Sequence, residues 1–378
     1  KVDVSKRRLI QASSLLGSAA VLGMSLKTQA SASTSYTSFS DYEQWDMTAM
    51  ADLLLQGDVS PLELTDAAIS RFEANAKLNM VAVNHFDHAR DQAAQLSKLS
   101  TRARSEQMNN APLLGIPFAF KDLGVNMAGT VTTNGCRFFK DNVATANSTL
   151  VNCYEALGVN ILAKLTSPEF GQTATGESSL HGDTLNPWDT RYSSGGSSSG
   201  SAVAVAARIL PAAHGTDGGG SIRIPASHCG LFGLKPSRGR VASGPTSLEG
   251  SMGLSVHHAL TRSVRDSALL LQLTQGAELG SRISLPNDDM LGAIQKQPKK
   301  LKIGLMDYHP FGYPIHQDCK DALTKTIKLL EALGHNVEAV NPVLPLEGMF
   351  KGMGIATSSG LLKAVQAREL VLGRAARE

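Results

Sequence analysis

The spacing of apolar residues changes repeatedly along the chain, and from about residue 60 the changes are regular. Ser60-Pro61-Leu62-Glu63 combines a hydroxyl, a proline at the first helical position and a glutamate three residues on. That capping box predicts a helix over 60–76. A second helical period covers 85–99. Residues 114–121 form a continuous apolar run ending in Lys121-Asp122 and predict a buried strand. A helix over 147–157 and a second apolar strand over 159–165 follow. Residues 202–208 predict a small-residue helix and 209–214 a strand. Residues 301–306, 317–333 and 337–340 read as one more strand–helix–strand unit. This alternation predicts an α/β layered fold with a largely parallel or mixed sheet, and no internal repeat interrupts it.

Before residue 48 the pattern differs. Arg7 and Arg8 precede a modestly apolar stretch over 12–26, and Ala30-Ser31-Ala32 fits a small-residue cleavage site. The stretch is too short to cross a bilayer as a helix of about 20 residues. Residues 1–32 resemble a bacterial twin-arginine export signal, with Lys6 where Ser or Thr is usual and Ile10 in place of Phe. An uncleaved amphipathic helix is the alternative. The expected organisation is a leader over 1–32, a linker over 33–47 and a catalytic domain over 48–378, located in the periplasm.

Composition narrows the function. Apolar residues are 42% and charged residues 18% of 378, the balance of a soluble globular chain able to bury a sizeable core. The net charge of +3 is a property of the leader, where five cations oppose Asp3; residues 33–378 carry −1. A nucleic-acid partner is therefore not indicated. The cysteines (Cys136, Cys153, Cys229 and Cys319) have no CxxC or Cys/His spacing and read as buried free thiols. No H-E-x-x-H or other metal motif is present, and neither metal nor cofactor is expected.

Much of the glycine falls between 171 and 253, and three segments there and upstream can carry chemistry. In Gly218-Gly219-Gly220-Ser221 the glycines let the backbone turn sharply and approach a substrate, so that the N–H groups of Gly218, Gly219, Gly220 and Ser221 can meet a developing oxyanion. Alone, this segment is equally a turn between strands. Gly195-Gly196-Ser197-Ser198-Ser199-Gly200-Ser201 has the composition of a flexible linker. It is, however, flanked by Asn186-Pro187-Trp188-Asp189 and runs directly into an apolar helical segment. Lys121 closes an apolar strand, where a lysine usually snorkels to the surface; buried, it would lose its charge and serve as a base.

Together, Asn-Pro-Trp-Asp, the Gly-Gly-Ser-Ser loop, the run from Gly215 through Pro225 and Cys229-Gly230-Leu231-Phe232-Gly233 resemble the amidase signature family over about residues 48–378. The resemblance implies a serine hydrolase of carboxylic amides with no cofactor. Ser221 would be the nucleophile, Ser197 the bridging serine after a cis peptide, and Lys121 the base. Ser221 follows Ser197 by 24 residues, the family's spacing. Asp217 and Arg223 would pair to brace the nucleophile turn. Ser199 and Gly218 depart from the family, which usually has Gly and a larger residue there. The stretch 233–245, followed by Thr261-Arg262-Ser263-Val264-Arg265-Asp266, is similar to the branch of cyclic-amide and nylon-oligomer hydrolases.

Two other functions compete. Gly196-Ser197-Ser198-Ser199-Gly200 satisfies G-x-S-x-G, but the polar stretch before it lacks the strand that a nucleophile elbow at Ser198 requires. The catalytic subunit of a tRNA-dependent amidotransferase shares the signature, yet the leader and the absence of net basic charge in the body argue for a small-molecule amide as partner, with a homodimer admitted and no stable membrane span. Residues 360–378 read as an amphipathic helix without a capping glycine. Because the resembled family continues further, the C-terminal part of the domain is expected to be missing, leaving an unpaired sheet edge and a poorly soluble, nearly inactive chain.

Overall fold

The computed structural model describes residues 41–245 and 248–376. The expected leader and residues 33–40 of the expected linker lie outside them. The described residues divide into two compact units: residues 41–291 with 361–376, and residues 292–360.

The larger unit contains two three-stranded sheets. In the first, β1 (Val81–Asn84), β2 (Pro117–Lys121) and β3 (Asn160–Leu165) run in the order β1-β3-β2. β1 is antiparallel to β3, whereas β2 is parallel to it, with Lys121 opposite Leu165. β2 and β3 are buried along their whole lengths, which is why their sequences are mostly apolar rather than alternating, with Lys121, Asn160 and Lys164 as the exceptions. The second sheet joins β4 (Ala212–Asp217), β5 (Phe232–Gly233) and β6 (Val256–Thr261) in the antiparallel order β4-β6-β5. The outcome is an α/β fold with one mixed and one antiparallel sheet among helices.

The helix Pro61–Ala74 has the expected box: the Ser60 hydroxyl accepts the Glu63 N–H, and Glu63 accepts the Ser60 N–H at 2.7 Å. The helix Ser199–Ala206 is almost entirely buried because its small residues permit close approach. A Cβ on Gly200 would lie 2.5 Å from both the Met80 carbonyl oxygen and the Thr166 nitrogen.

Four expectations are corrected. Residues 41–47 are not linker: Tyr42 is buried under the Arg71 guanidinium and donates to the Ile209 carbonyl at 2.8 Å. Asp46 caps the helix Met47–Gln56 and pairs with Arg265, while Asp266 accepts the Met47 and Thr48 N–H groups, so the start of this helix locks onto the start of the helix Val264–Thr274. The strand expected over 209–214 begins only at Ala212, because the N–H groups of Ile209 and Leu210 both turn back to Ala204. All four cysteines are free, but only Cys229 is buried and Cys319 is exposed. The last helix, Leu346–Leu372, does end at a capping glycine, since Gly373 has φ 65° and donates to the Glu369 carbonyl at 2.8 Å.

The smaller unit pairs β7 (Lys302–Leu305) in parallel with β8 (Asn336–Ala339) through the helix Gln317–Ala332, matching the predicted strand–helix–strand unit. Among the described residues no helix is long and apolar enough to cross a membrane.

Candidate active site

The site forms where β2 meets β4. These strands lie alongside one another, yet no ladder joins them among the described residues. The serine-rich loop hydrogen-bonds to both strands. Its Gly196-Ser197 peptide is cis. A Cβ on Gly196 would lie 2.2 Å from the Thr175 carbonyl oxygen, so the loop can pass only as glycine.

Each hydroxyl of this loop has a different task. Ser197 faces Lys121, with Oγ 2.6 Å from Nζ. Ser198 Oγ donates to the Thr216 carbonyl and accepts the Thr216 N–H, satisfying the edge of β4. Ser199 donates to the Thr166 carbonyl and Ser201 to the His214 carbonyl. With its hydroxyl turned into β4 and its side chain fully buried, Ser198 is not an exposed elbow nucleophile. Ser199, one of the departures from the family, packs without strain, and its neighbour Gly176 leaves it room.

Lys121 is fully buried, and among the described residues its Nζ hydrogen-bonds only to hydroxyls, those of Ser197 and, at 2.9 Å, Thr216. Burial depresses its pKa to about 7, against the opposing pull of the Asp217 charge. A substantial neutral fraction therefore exists near neutrality, and such an amine can accept a proton.

Ser221 follows the glycine turn after β4 and is partly exposed, whereas Ser197 is buried. Its carbonyl accepts the Ser198 N–H at 3.2 Å, which ties the two segments together. No hydrogen bond joins the Ser221 and Ser197 hydroxyls among the described residues. The structure thus brings Lys121 and Ser197 into contact and sets Ser221 beside their loop.

The bracing pair is present. Asp217 is fully buried and takes Nε and Nη2 of Arg223, both at 2.9 Å. Burial works against the Asp217 carboxylate, but hydrogen bonds from Arg223 and from the N–H groups of Gly220 and Ile222 hold it below its ordinary range. This corrects one expectation. The Gly220 N–H is committed to Asp217 at 2.8 Å and does not face outward as an oxyanion donor. Gly220 instead supplies the bend, with φ 126°, which a side chain would strain. Gly218 and Gly219 are exposed, and no acceptor takes their N–H groups or that of Ser221 among the described residues.

A family model described as Amidase matches residues 63–368. The chain belongs to the amidase signature family. It is 35% identical over 305 residues to a 6-aminohexanoate-cyclic-dimer hydrolase of Pseudomonas sp. (strain NK87), covering 79% of this chain and 59% of the relative. The solved structure of a 6-aminohexanoate cyclic dimer hydrolase complexed with substrate superposes with TM-score 0.78 and 31% identity, over 88% of this chain and 68% of that one. A bacterial aryl acylamidase of the amidase signature family gives TM-score 0.78 and 30% identity, over 85% and 66%. The chain spans about three fifths of the length of the curated relatives it matches.

Sequence reasoning missed two groups that support this amidase fold at the site. Lys164 lies fully buried on β3 and forms an ion pair at 3.1 Å with Asp122, the residue after Lys121. Asp122 also accepts from the Thr133 N–H and hydroxyl, which anchors the loop leaving β2. The signal was a lysine inside an otherwise apolar strand. The second group is His214 with His257, hydrogen bonded at 3.1 Å; the sequence reads His214 as a satisfied structural residue on an apolar strand, and nothing in it links that residue to His257 on β6.

Proposed function

We propose that this chain hydrolyses a carboxylic amide by acyl transfer, with Ser221 as nucleophile, Ser197 as proton bridge and Lys121 as base. The observation that carries this reading is the contact between the buried Lys121 amine and the Ser197 hydroxyl at 2.6 Å. Neutral Lys121 takes the Ser197 proton as Ser197 takes that of Ser221. Ser221 Oγ bonds to the amide carbon, and the oxyanion meets the N–H groups of Gly218, Gly219 and Ser221. The relay returns a proton to the nitrogen as the C–N bond breaks and the amine leaves. Water then attacks the acyl ester through the same relay and frees the acid. For this relay to work, the Ser221 and Ser197 hydroxyl oxygens must come within about 2.6–3.2 Å of one another in the reacting complex.

The relatives' names support secondary amides, cyclic or aryl, as the first substrates to try. We also propose that the protein is exported through residues 1–32. Purified protein would be offered 6-aminohexanoate cyclic dimer, aryl acylamides and peptide amides, with release of amine or ammonia measured. Turnover of one class, abolished in Ser221→Ala, is the expected result; equal turnover by Ser221→Ala rejects the nucleophile. Lysine at both Arg7 and Arg8 should hold the protein in the cytoplasm.

A further inference from the structure

The base of the relay is Lys121, the last residue of β2, and its reach to Ser197 depends on where its backbone is held. On one side β2 is fixed by its parallel ladder with β3. On the side of β4 there is no ladder, and the Lys121 N–H is instead accepted at 3.3 Å by Nδ1 of His214. The other ring nitrogen of His214 lies 3.1 Å from Nδ1 of His257. His214 and His257 are both buried, with ring centroids 5.4 Å apart.

These contacts fix the tautomers. A backbone N–H can only donate, so His214 Nδ1 must present a lone pair. A neutral imidazole then carries its proton on Nε2, which donates to His257 Nδ1, and His257 must in turn be protonated on Nε2. A proton on His214 Nδ1 would set two donors against each other in a buried space. Among the described residues, the groups facing this pair include the side chains of Lys121 and Thr216, the Phe120 ring at 5.4 Å, and Gly124, whose added Cβ would lie 3.3 Å from His257 Cε1; the charges of Lys164 and His258 also reach His214. None is an acid. Burial and the charges of neighbouring groups, Lys121 among them, hold His214 well below the ordinary imidazole range; burial and then Lys121 bring His257 to about 4.

We infer that His214 is a positioning residue for the relay: its Nδ1 lone pair seats the Lys121 backbone in place of a sheet hydrogen bond, and His257 keeps the His214 proton on Nε2. Neither imidazole touches the substrate or exchanges protons with it. Their effect passes through the position of the Lys121 amine, so it falls on the chemical step rather than on binding. This inference rests on the amide-hydrolase reading for its kinetic consequence, but not for its tautomer.

The test uses the whole chain, labelled with nitrogen-15 at histidine, with the His214 resonance assigned by its loss in His214→Asn. In the wild type the His214 ring should show the Nε2–H tautomer at neutral pH. His214→Phe keeps a ring of similar size without an acceptor and should lower kcat about 10- to 100-fold with KM little changed, the scale of a misplacement of about 1 Å. His214→Asn restores an acceptor at the Nδ1 position and should recover most of that rate. His257→Phe should lower kcat, and combined with His214→Phe it should add little. A His214 proton on Nδ1 in the wild type overturns the inference even if the variants fail to fold. So does wild-type kcat in His214→Phe. A wild type that shows the Nε2–H tautomer but hydrolyses no amide sinks the hydrolase reading and leaves the seating of Lys121 standing.

Discussion

Lys121 Nζ sits 2.6 Å from the Ser197 hydroxyl, and no carboxylate ion-pairs with it among the described residues. The two acids nearest in sequence or space have other partners: Asp122 holds Lys164, and Asp217 holds Arg223. The amine is thus desolvated with only the more distant pull of the Asp217 charge opposing it, which leaves it able to accept a proton near neutral pH.

Activity should therefore follow the deprotonation of Lys121. With its pKa brought to about 7, kcat/KM should fall about tenfold for each pH unit below that value and level off above it. Stability should show the same linkage. The folded state holds the proton less tightly than an unfolded lysine of ordinary pKa 10.5, so between about 7 and 10.5 the unfolded chain binds more protons and stability rises with pH. Below about 7 both states are protonated and this contribution is constant. Denaturation midpoints across that range, compared with Lys121→Met, measure it; equal slopes in both proteins would refute a depressed pKa.

Removing relay members should reveal a single unit. Ser221→Ala is expected to reduce kcat by roughly 10⁴-fold or more, and Ser197→Ala and Lys121→Ala severely. The double variant Ser197→Ala/Lys121→Ala should lose little beyond either single one. Fully multiplicative losses in steady-state kinetics would show that the two side chains act separately.

The glycines before Ser221 should not be equivalent. A Cβ on Gly218 would meet Ser255 Cβ at 3.6 Å, an ordinary contact, so Gly218→Ala should change stability by less than about 0.5 kcal/mol. Gly220→Ala should cost more than about 1 kcal/mol, because φ is 126° and its Cβ would lie 2.7 Å from Ile224 Cδ1. Thermal melts of the two variants decide this, and similar melts would refute it.

The pair of Lys164 and Asp122 is fully buried, so breaking it leaves one charge unmatched. Lys164→Met or Asp122→Leu alone should destabilise by about 3–5 kcal/mol, whereas the two changes together should recover much of the loss. Denaturant titration of the three variants, read as a double-mutant cycle, tests this.

The sequence made legible those parts of the fold whose signal is local. Ser60 and Glu63 announced a helix start through neighbouring chemistry, and the apolar runs of β2 and β3 announced burial on both faces. Elements defined by distant partners were not legible. β6 is buried throughout, but His257, His258 and Thr261 obscure its pattern, and its place depends on pairing with β4. At the site, Lys121, Ser197 and the Asp217–Arg223 brace could be placed by motif. The direction of a backbone N–H could not, which is why Gly220 was expected to face the oxyanion and instead faces Asp217. Tyr42 falls within the expected linker because nothing in its own neighbourhood points to Ile209, 167 residues away.

The four serines between residues 197 and 201 have a consequence for how this segment can vary. Their hydroxyls reach Lys121, Thr216, Thr166 and His214, which belong to three separate strands or strand ends. A tether of the same composition would accept an extra residue anywhere along its length. Here one inserted or deleted residue would change every address at once, withdrawing the contact to Lys121 and leaving β4 carbonyl oxygens without donors. Among descendants of this sequence, the segment can exchange individual side chains far more readily than it can change length.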